Sequence, residues 1–365
     1  MRLCYVLLSP TWGMHQYTAD LANRMAGAGH DVHLVTTRHA PRDRYGPGVA
    51  VHAPVATTDS GFSAEVIRHA PSIVRGSLSA IRHVDPDLVH FTGPYLWNPW
   101  LLRSLRQARL PTVHSLHDLH PHAGTAYGRL LYLWNGWMRR ATGHLLVHGR
   151  RYREELLAAG VEPARVTCTL LTHLFVGHDR QQDLEQSPPA VRYEPWALLI
   201  GRLEAYKGLD VLVEAARLLE LPDAGVVIAG PGRLEGLVHG EIPAGVEIRN
   251  HLVADDEAVD LFRRCGVVVL PYIEASQSAL VAAAYFFRKP VIVTRVGALP
   301  EYVVDGETGW VIPANDPQVL AAALAAALSD PNGLARMGRA GRTWYERKRL
   351  AEFDTLQQMV AALVP

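Results

Sequence analysis

The chain alternates short runs of β-branched and leucine residues with stretches of helical periodicity along nearly its whole length. Such alternation is typical of parallel sheets, because each parallel strand needs a crossover, usually a helix, to reach the next. The pattern therefore predicts an α/β fold. The strand candidates are Leu3–Leu8, Asp31–Thr36, Val49–Ala53, Leu88–Phe91, Thr112–Leu116, Leu145–His148, Val166–Leu171, Ala197–Ile200, Val226–Ala229, Val246–Arg249, Val267–Leu270 and Val291–Thr294.

The alternation stops at Gln181–Pro195, a polar segment whose prolines give it linker composition. We therefore predict two doubly wound, Rossmann-like domains at residues 1–187 and 188–340, with a cleft between the strand carboxyl ends of both. A length of 365 residues suits two such cores. Residues 341–365 are predicted to form a C-terminal helix that crosses back to the first domain. The helical patterns are His15–Ala28, Ser63–His83, Trp100–Gln107, Arg151–Ala159, Asp210–Leu219, Asp256–Arg264, Ser278–Phe287, Pro317–Leu328 and Gly338–Val364.

Charge is divided unevenly between the two halves. Residues 1–187 contain 19 Arg against 14 acidic residues, a net +5, and the remainder contains 17 basic against 22 acidic residues, a net −5. A basic first half suits anionic groups or a membrane surface. The alternative is solvated arginine, since only three of the 36 cations are lysine. We expect no nucleic-acid partner.

The three cysteines follow no metal-ligand spacing and lie inside apolar runs, so they are predicted to be buried thiols in a reducing compartment. No stretch reaches the roughly 18 apolar residues that a membrane span needs, and the N-terminal apolar run predicts a first strand. We expect a cytoplasmic protein with peripheral contact on the inner face of the membrane.

Two cations follow the predicted strand Ala197–Ile200, in the segment GRLEAYKG at Gly201–Gly208. The guanidinium of Arg202 can bind two phosphate oxygens, and Lys207 adds a compact positive charge. Together they predict a site for a phosphorylated ligand. The alternative is an ordinary solvated loop.

A lone carboxylate, Glu274, lies just past the predicted strand Val267–Leu270, where open α/β sheets bind ligands. Ser276, Gln277 and Ser278 follow it and lead into a predicted helix, so their N–H groups are candidates for phosphate or sugar oxygens. The alternative for either serine is simple N-capping.

These elements occur in the succession GR-x4-KG, then P-x2-E-x15-PVIVT-x-VG-x-LPE-x-V-x-DG-x-TG. Over Ala197–Pro317 this succession resembles the C-terminal domain of the family-four retaining glycosyltransferases. The resemblance implies the GT-B fold, a nucleotide-sugar donor (a UDP- or GDP-sugar), retention of configuration, and no metal or other cofactor. It assigns acceptor binding to the first domain and donor binding to the second.

The resemblance also implies individual roles. Arg202 and Lys207 would bind the donor diphosphate, and Glu274 would hydrogen-bond the donor sugar. The amides of Ser276, Gln277 and Ser278 would line the same pocket. Finally, the backbone at His251 and Val253 would contact the nucleobase.

A second glutamate, which the family usually places eight residues after the first to hold the ribose, is missing here. Its position falls on Ala282 or Ala283, depending on the direction of counting. The usual glycine-rich turn is replaced by Ala275–Ser278. We therefore predict a subgroup that holds the ribose in another way.

In the first domain, Gly13 follows the first strand and is a candidate phosphate contact, because only glycine lets backbone approach so closely. A strand-to-helix turn is the alternative. His15, on the next helix, is a candidate acceptor contact or simply an exposed residue. By resemblance, His117 after the strand Thr112–Leu116 touches the donor sugar or the acceptor, and Asp118 orients it or contacts the acceptor.

Two further features of the first domain have alternative interpretations. His114, His117, His120 and His122 could suggest a metal site, but their spacing repeats no helix face and we expect no metal. The aromatic residues could stack on a sugar, although helical spacing favours core or interdomain packing for Trp134 and Trp137. These aromatics are Tyr95, Trp97, Trp100, Tyr127, Tyr132, Trp134 and Trp137.

The sequence thus predicts a retaining glycosyltransferase that moves a sugar from a nucleotide-sugar to a hydroxyl of a glycan, natural product or lipid-linked acceptor. One alternative is a nucleotide-sugar epimerase or hydrolase on the same fold. Another is a catalytically silent binding or scaffold subunit, which the missing second glutamate favours.

Overall fold

The computed structural model describes residues 1–56, 63–120, 128–219, 221 and 223–364, which divide into two compact units. Among these residues, unit 1 comprises 1–56, 63–120, 128–185 and 350–364. Unit 2 comprises 186–219, 221 and 223–349. The domain boundaries at 187 and 340 remain predictions.

In the described part of unit 1, seven parallel strands form one sheet. They are β1 (Arg2–Leu7), β2 (Asp31–Thr37), β3 (Val49–Val55), β4 (Leu88–Phe91), β5 (Thr112–Leu116), β6 (His144–His148) and β7 (Val166–Thr169). Their spatial order is β3-β2-β1-β4-β5-β6-β7, so the chain reverses direction across the sheet between β1 and β4. The helices are α1 (Trp12–Gly27), α2 (Ala64–Arg68), α3 (Ala70–Val84), α4 (Asn98–Gln107), α5 (Gly128–Ala141), α6 (Arg150–Ala158) and α7 (His178–Gln186).

Unit 2 repeats the architecture with a sheet of six parallel strands, counted over its described residues. They are β8 (Trp196–Ile200), β9 (Gly225–Ala229), β10 (Val246–Arg249), β11 (Val267–Leu270), β12 (Val291–Thr294) and β13 (Gly309–Ile312). The order β10-β9-β8-β11-β12-β13 places the reversal between β8 and β11. The helices are α8 (Leu209–Arg217), α9 (Asp255–Arg264), α10 (Leu280–Phe286), α11 (Pro317–Leu328) and α12 (Pro331–Leu363).

The predicted α/β class with two parallel sheets is confirmed. Strands buried on both faces read as continuous apolar runs, and all four residues of β11 and of β12 are buried. In unit 2 the core lies between the sheet and helices such as α8, which buries Leu209, Leu212 and Val213.

The predicted linker at Gln181–Pro195 is partly wrong, because α7 extends to Gln186. This helix is built mainly from charged and amide side chains with high helix propensity, and Leu184 is its buried residue. Because the apolar face of α7 is so narrow, its composition resembles that of a linker, which explains the wrong prediction.

The predicted helix Ser63–His83 is interrupted at His69, which separates α2 from α3. Pro71 lies in the first turn of α3, where its missing N–H leaves no bond unmade; inside a continuous helix it would clash with the preceding turn. The hydroxyl of Ser63 accepts a hydrogen bond from Val66 N at 3.2 Å and caps α2.

Strand β13 was not predicted, because its glycine looked like loop punctuation. A Cβ on Gly309 would lie 2.1 Å from the carbonyl oxygen of Val291 on β12, so this glycine allows the two backbones to pair closely. Its residues Trp310 and Val311 are only half-buried, as expected at the edge of a sheet.

Helix α12 begins at Pro331 rather than Gly338, and its last part belongs to unit 1. There the Glu352 carboxylate pairs with Arg24 of α1 at 3.0 Å and accepts a hydrogen bond from the Thr172 hydroxyl. The Arg24 guanidinium also lies over the Phe353 ring, 4.6 Å from its centroid. These contacts fix residues 350–364 to α1.

The cysteines are free thiols. Cys4 and Cys265 are buried, which raises the pKa of each to about 12, while Cys168 is half-buried rather than buried as predicted. Across the described residues, no helix combines the length and apolar character that crossing a bilayer requires.

Histidines inside the first sheet predict acid sensitivity of unit 1. Burial lowers the pKa of His90 on β4 and of His114 on β5 to about 3. Because the unfolded chain takes up protons from about pH 6.5 downward and these folded histidines do not, the free energy of unfolding should fall as pH drops from about 6.5 towards 3. The expected loss is roughly 1.4 kcal/mol per histidine per pH unit.

Hydrogen exchange followed by mass spectrometry, corrected for intrinsic rates, at about pH 7 and about pH 5.5 would measure this loss. Protection should fall in β4, β5 and β6. Unit 2 is the internal control, because the two histidines beyond residue 187, His239 and His251, are both exposed. Equal loss of protection in both units would refute the assignment.

Candidate active site

Three predicted motif segments lie at one edge of the second sheet. Arg202–Lys207 follows β8, Glu274–Ser278 follows β11, and His251–Val253 follows β10. The strands are parallel, so their carboxyl ends share an edge. Strands β8 and β11 also flank the reversal in strand order, the place where open α/β sheets bind ligands.

The first two segments are in direct contact. The carbonyl oxygen of Tyr206 accepts hydrogen bonds from Ile273 N at 2.7 Å and from Glu274 N at 3.5 Å. Gly208 adopts a left-handed φ of +67°, and a Cβ there would lie 2.1 Å from the carbonyl oxygen of Pro271. The loops GRLEAYKG and PYIEASQS therefore form one surface, and Gly208 makes their approach possible.

Lys207 is a buried cation that forms no direct ion pair with a described residue, although Glu204 acts on its charge at longer range and its ammonium lies 5.8 Å from the centroid of the Tyr272 ring. Its side chain is 6% exposed, and its ammonium makes no hydrogen bond or ion pair with any described residue. Burial lowers the pKa of Lys207 to about 8, with nearby Glu204 raising it and Arg202 lowering it. A buried charge is costly unless it is paired, so this ammonium is ready to bind an anion.

Glycines make room for this ammonium and for the loop opposite. A Cβ on Gly201 would lie 2.9 Å from Lys207 Nζ, and one on Gly230 would lie 2.1 Å from the Gly201 carbonyl oxygen. Gly297, at φ +51°, approaches the backbone of Ala275 so closely that a Cβ would lie 1.8 Å from its carbonyl oxygen. These glycines were not among the predicted site residues, although each follows the end of a strand closely and could have been found by that position.

Arg202 is exposed and pairs with Glu204 of its own loop at 3.3 Å. Exposed pairs of this kind contribute little stability, so the guanidinium can exchange Glu204 for a ligand at small cost. The structure thus places Arg202 and Lys207 on the same turn, close enough for one charge to lower the pKa of the other.

The segment after Glu274 differs from the prediction in one respect. Helix α10 begins at Leu280 rather than Ser278 and has seven residues. The Ser278 hydroxyl accepts a hydrogen bond from Leu280 N at 3.3 Å, but the N-cap residue of α10 is Ala279, so the N-capping alternative does not hold for Ser278. The Ser276 carbonyl accepts one from Ala298 N at 3.0 Å, so the turn is tied to the loop that contains Gly297. Glu274 and Gln277 are half-buried beside it.

The positions of the missing second glutamate are in the core. Ala282 and Ala283 lie on α10 with exposures of 0% and 1%. Neither could present a longer side chain to a ligand without repacking the helix.

The predicted nucleobase contacts lie at the edge of the same sheet. His251 is exposed, and its Nε2 is 2.8 Å from a carboxylate oxygen of Glu257, while Val253 is half-buried. Strand β9 separates β10 from β8, so these residues follow a different strand end from Lys207.

In unit 1, Gly13 lies in the first turn of α1. It does not have positive φ, and a Cβ there would meet no atom within 4 Å. Glycine weakens a helix, and at position 13 neither backbone geometry nor packing within the described residues requires it. Open space beside this backbone suits the predicted phosphate contact.

His15 is not an exposed helix residue, so that alternative is wrong. Its side chain is buried, and its Nδ1 is 2.7 Å from the hydroxyl of Tyr45. Burial lowers the pKa of His15 to about 4. The contact joins α1 to the segment before β3, and an acceptor role remains a prediction.

The buried ring of His117 donates a hydrogen bond through one nitrogen and has the other available as an acceptor. Its Nε2–H donates to the carbonyl oxygen of Thr92 at 2.9 Å, which leaves Nδ1 unprotonated in the neutral ring. That nitrogen is buried and bonds to no described residue. Burial lowers the pKa of His117, so the ring stays neutral.

The sequence analysis missed the residues that position this ring. Tyr17 of α1 packs edge-on against His117, with ring centroids 4.8 Å apart, and against His148 at 5.3 Å. Its hydroxyl lies 2.8 Å from Ser115 Oγ, which in turn lies 2.8 Å from His90 Nε2. The available signal was a histidine near the end of each of three adjacent strands, LVHF, TVHSL and HLLVH.

The other histidines considered for a metal have separate partners. His114 Nδ1 donates to the Phe91 carbonyl oxygen at 3.3 Å, and His120 pairs with Glu155. His122 lies outside the described residues. Over the ranges that the structure describes, no three His, Cys, Asp or Glu side chains group as metal ligands. Asp118 is half-buried, and its carbonyl oxygen accepts a hydrogen bond from the Asn135 amide at 2.9 Å.

The aromatic residues divide into core and surface. Trp134 is buried as predicted, but Trp137 is 43% exposed, so the packing prediction for Trp137 is wrong. Tyr95, a candidate for stacking on a sugar, is buried as well. Trp100 is similarly exposed at 42%. Tyr127 lies outside the described residues.

Comparison with known families covers both units. Residues 13–170 match the model of the glycosyl transferase 4-like domain, and residues 181–344 match that of glycosyl transferases group 1. The chain belongs to the family-four glycosyltransferases of the GT-B fold. The subgroup prediction, based on the EASQS segment, remains a prediction.

A relative by sequence and two solved structures each match most of the chain, the solved structures in fold alone. The D-inositol 3-phosphate glycosyltransferase of Arthrobacter sp. (strain FB24) is 27% identical, covering 90% of this chain and 84% of the relative. Sucrose-phosphate synthase from Thermosynechococcus elongatus has the same fold, with a TM-score of 0.78 at 20% identity, covering 100% of this chain and 99% of the other. Anabaena HepE, solved with UDP and glucose, gives a TM-score of 0.72 at 15% identity and covers 100% of both chains.

The Gly208 contact gives a stability prediction for this glycosyltransferase. Gly208→Ala should lower the free energy of unfolding by at least about 2 kcal/mol more than Gly236→Ala, because both need positive φ but only position 208 meets backbone. Gly236 has φ +76° and no atom within 4 Å of an added Cβ. Urea unfolding followed by fluorescence would measure both variants. Equal losses would show that the loop contact is not needed.

Proposed function

We propose that this glycosyltransferase moves a sugar from a nucleotide-sugar donor to an acceptor hydroxyl with retention of configuration. The observation that carries the proposal is the buried ammonium of Lys207, which forms no direct ion pair with a described residue, at the strand reversal of unit 2. A nucleoside diphosphate is the anion that such a site suits, and two fixed cations stabilise the charge that develops as it leaves.

The donor would bind with its diphosphate on Lys207 and Arg202. Arg202 would exchange its exposed contact with Glu204 for phosphate oxygens, which it can bind in a bidentate manner. Glu274 would accept hydrogen bonds from the donor sugar, because the Tyr206 carbonyl holds its backbone against the same loop. The ribose would be held by Ser276, Gln277, backbone or water in place of the missing carboxylate.

Solved relatives favour a UDP-sugar over the predicted GDP-sugar alternative. HepE has been solved with UDP and with UDP-glucose, and its fold matches this chain over nearly its full length. We expect no metal or other cofactor in the reaction, as the family resemblance implies.

His117 would orient a hydroxyl rather than remove its proton. Its Nδ1 can accept a hydrogen bond, but its lowered pKa makes it a weak base. The departing diphosphate oxygen, on the same face as the incoming hydroxyl, would take the proton. Retention then needs no separate nucleophile.

A substitution at Lys207 tests the donor site. Lys207→Met keeps the aliphatic stem and removes the charge, so binding of UDP should weaken by about 100-fold or more. Thermal stability should stay equal or rise, because a costly buried charge is removed. Isothermal titration calorimetry and thermal melts would measure the two effects. If Lys207→Met bound UDP as tightly as the wild type, the diphosphate would not bind at Lys207.

The pH dependence of the same binding follows from the pKa of Lys207. With a pKa of about 8 in the free protein, the ammonium loses its proton as pH rises through 8, and UDP affinity should fall. Bound phosphate raises that pKa, so binding near pH 8 should take up protons. Titrations in buffers of different ionisation enthalpy would report the uptake. Lys207→Met should show none.

Glu274→Ala should reduce turnover by about 10- to 100-fold while leaving UDP affinity nearly unchanged. The reason is that the carboxylate contacts the sugar and not the nucleotide. Glu307→Ala is the matched control, because it removes an exposed carboxylate of the same unit that the proposed donor site does not use. An unchanged rate for Glu274→Ala would exclude it from the sugar pocket.

A donor screen with UDP-, GDP-, ADP- and dTDP-sugars, each with and without acceptors, separates the candidate functions. Inositol phosphate is the first acceptor to include, since relatives are named for it. Transfer only with an acceptor supports the proposal. Turnover of donor alone would indicate a hydrolase or epimerase, and absence of binding to every nucleoside diphosphate would indicate a scaffold subunit.

A further inference from the structure

Helices α4 and α5 expose a group of large apolar side chains that the donor and acceptor chemistry does not use. Trp100, Tyr132, Leu133 and Trp137, here called the α4–α5 face, have exposures of 42%, 58%, 68% and 43%. The rings of Trp100 and Trp137 are 5.0 Å apart and join the two helices. Trp97 extends the row, 4.9 Å from Trp100.

Arginines continue this face towards the ends of both helices. On α5, Leu133, Trp137 and Arg140 are spaced four and three residues apart, which places them on one side of the helix. Arg106 occupies the last turn of α4. On α5 the surface therefore changes from aromatic to cationic along one side of the helix, and Arg106 of α4 meets this cationic end in the cavity that it lines together with Arg140.

The cationic end is a cavity of about 500 Å³ whose lining includes Arg106, Arg109, Arg140 and Arg165. Arg165 is committed to structure, because its guanidinium donates to the carbonyl oxygens of Gly143, Arg139 and Thr142. The other three guanidiniums form no ion pair with any described residue. They are free to bind an anion.

The surrounding sequence strengthens this positive field. Between Asp87 and Glu154 the chain contains nine arginines and a single carboxylate, Asp118. Thr112 at the start of β5 also lines the cavity, whereas His117 follows the other end of that strand. The cavity is therefore at the edge of the first sheet opposite to His117.

We propose that the α4–α5 face docks on an anionic phospholipid bilayer, with lipid phosphates in the arginine cavity. Tryptophan and tyrosine favour the membrane interface, where an apolar ring and a polar edge are both satisfied. Arginine binds phosphate oxygens in pairs and is attracted to an anionic surface. A soluble anion would need only the cavity, and a second copy of this face would bring unpaired arginines against each other.

Flotation of the full chain with vesicles tests the proposal, using phosphatidylcholine alone or mixed equally with phosphatidylglycerol. Binding should require the anionic lipid and weaken with salt. The triple variant Arg106→Gln, Arg109→Gln, Arg140→Gln should bind on the order of 100-fold more weakly. Its matched control replaces Arg82, Arg336 and Arg347, which are exposed and lie outside the face, by glutamine.

The apolar part is tested by Trp100→Ser with Trp137→Ser, expected to weaken binding by roughly 10-fold or more. Tyr132→Ser with Leu133→Ser repeats the test at more exposed positions, in case the tryptophan pair disturbs packing. Leu252→Ser with Leu350→Ser is the control, since both leucines are exposed elsewhere. Circular dichroism melts establish that each variant folds.

Several outcomes would overturn the proposal. Equal binding to neutral and anionic vesicles would show that the arginines do not contribute to binding. Wild-type binding by both apolar variants would show that the α4–α5 face does not contact the bilayer. Inorganic phosphate binding to the cavity without vesicle binding would make it a site for a soluble anion. Dimers that the tryptophan variant abolishes in analytical ultracentrifugation would make the occupant a second copy.

Discussion

The carbonyl oxygen of Tyr206 and the bare backbone of Gly208 hold the candidate site of unit 2 together. The Tyr206 carbonyl accepts hydrogen bonds from the loop after β11. Gly208 lets the Pro271 carbonyl approach to a distance that no side chain would allow. The motif residues are far apart in sequence, yet Lys207 and Glu274 belong to one surface because of this contact. Gly297 makes a similar approach from the loop after β12, so three strand ends are tied by backbone rather than by side chains.

Rigid backbone of this kind explains how an unpaired charge is kept in the interior. A mobile loop would turn the Lys207 ammonium out to water, whereas the turn Ala205–Lys207 is fixed on both sides. Unit 1 contains a neutral counterpart in His117, whose ring is fixed by the hydrogen bond from Nε2–H to the Thr92 carbonyl and by the Tyr17 ring, while Nδ1 has no hydrogen-bond partner among the described residues. Both sites leave a polar atom without a protein partner, and both follow the end of a parallel strand.

Sequence patterns predicted the parts of the fold that depend on local burial. Strands β4, β5, β11 and β12 have the predicted bounds, because runs buried on both faces stand out from their surroundings. The edge strand β10 also has its predicted bounds, although it is largely half-buried or exposed. The parallel-sheet rule also brought Arg202, Lys207 and Glu274 to one edge. What failed depends on contacts between distant residues. The burial of His15 is set by Tyr45, the pairing of β13 by a glycine beside Val291, and the setting of His117 by Tyr17 and Ser115.

The alanines at 282 and 283 bear on how such a donor pocket can change over evolution. Both are packed inside unit 2, so a glutamate gained at either position would be placed in the core instead of at the ribose, at a cost of several kcal/mol. A single substitution to glutamate at either position would therefore destabilise unit 2. The helix would have to be repacked first, which separates this pocket from those of its relatives by a barrier of stability rather than of function.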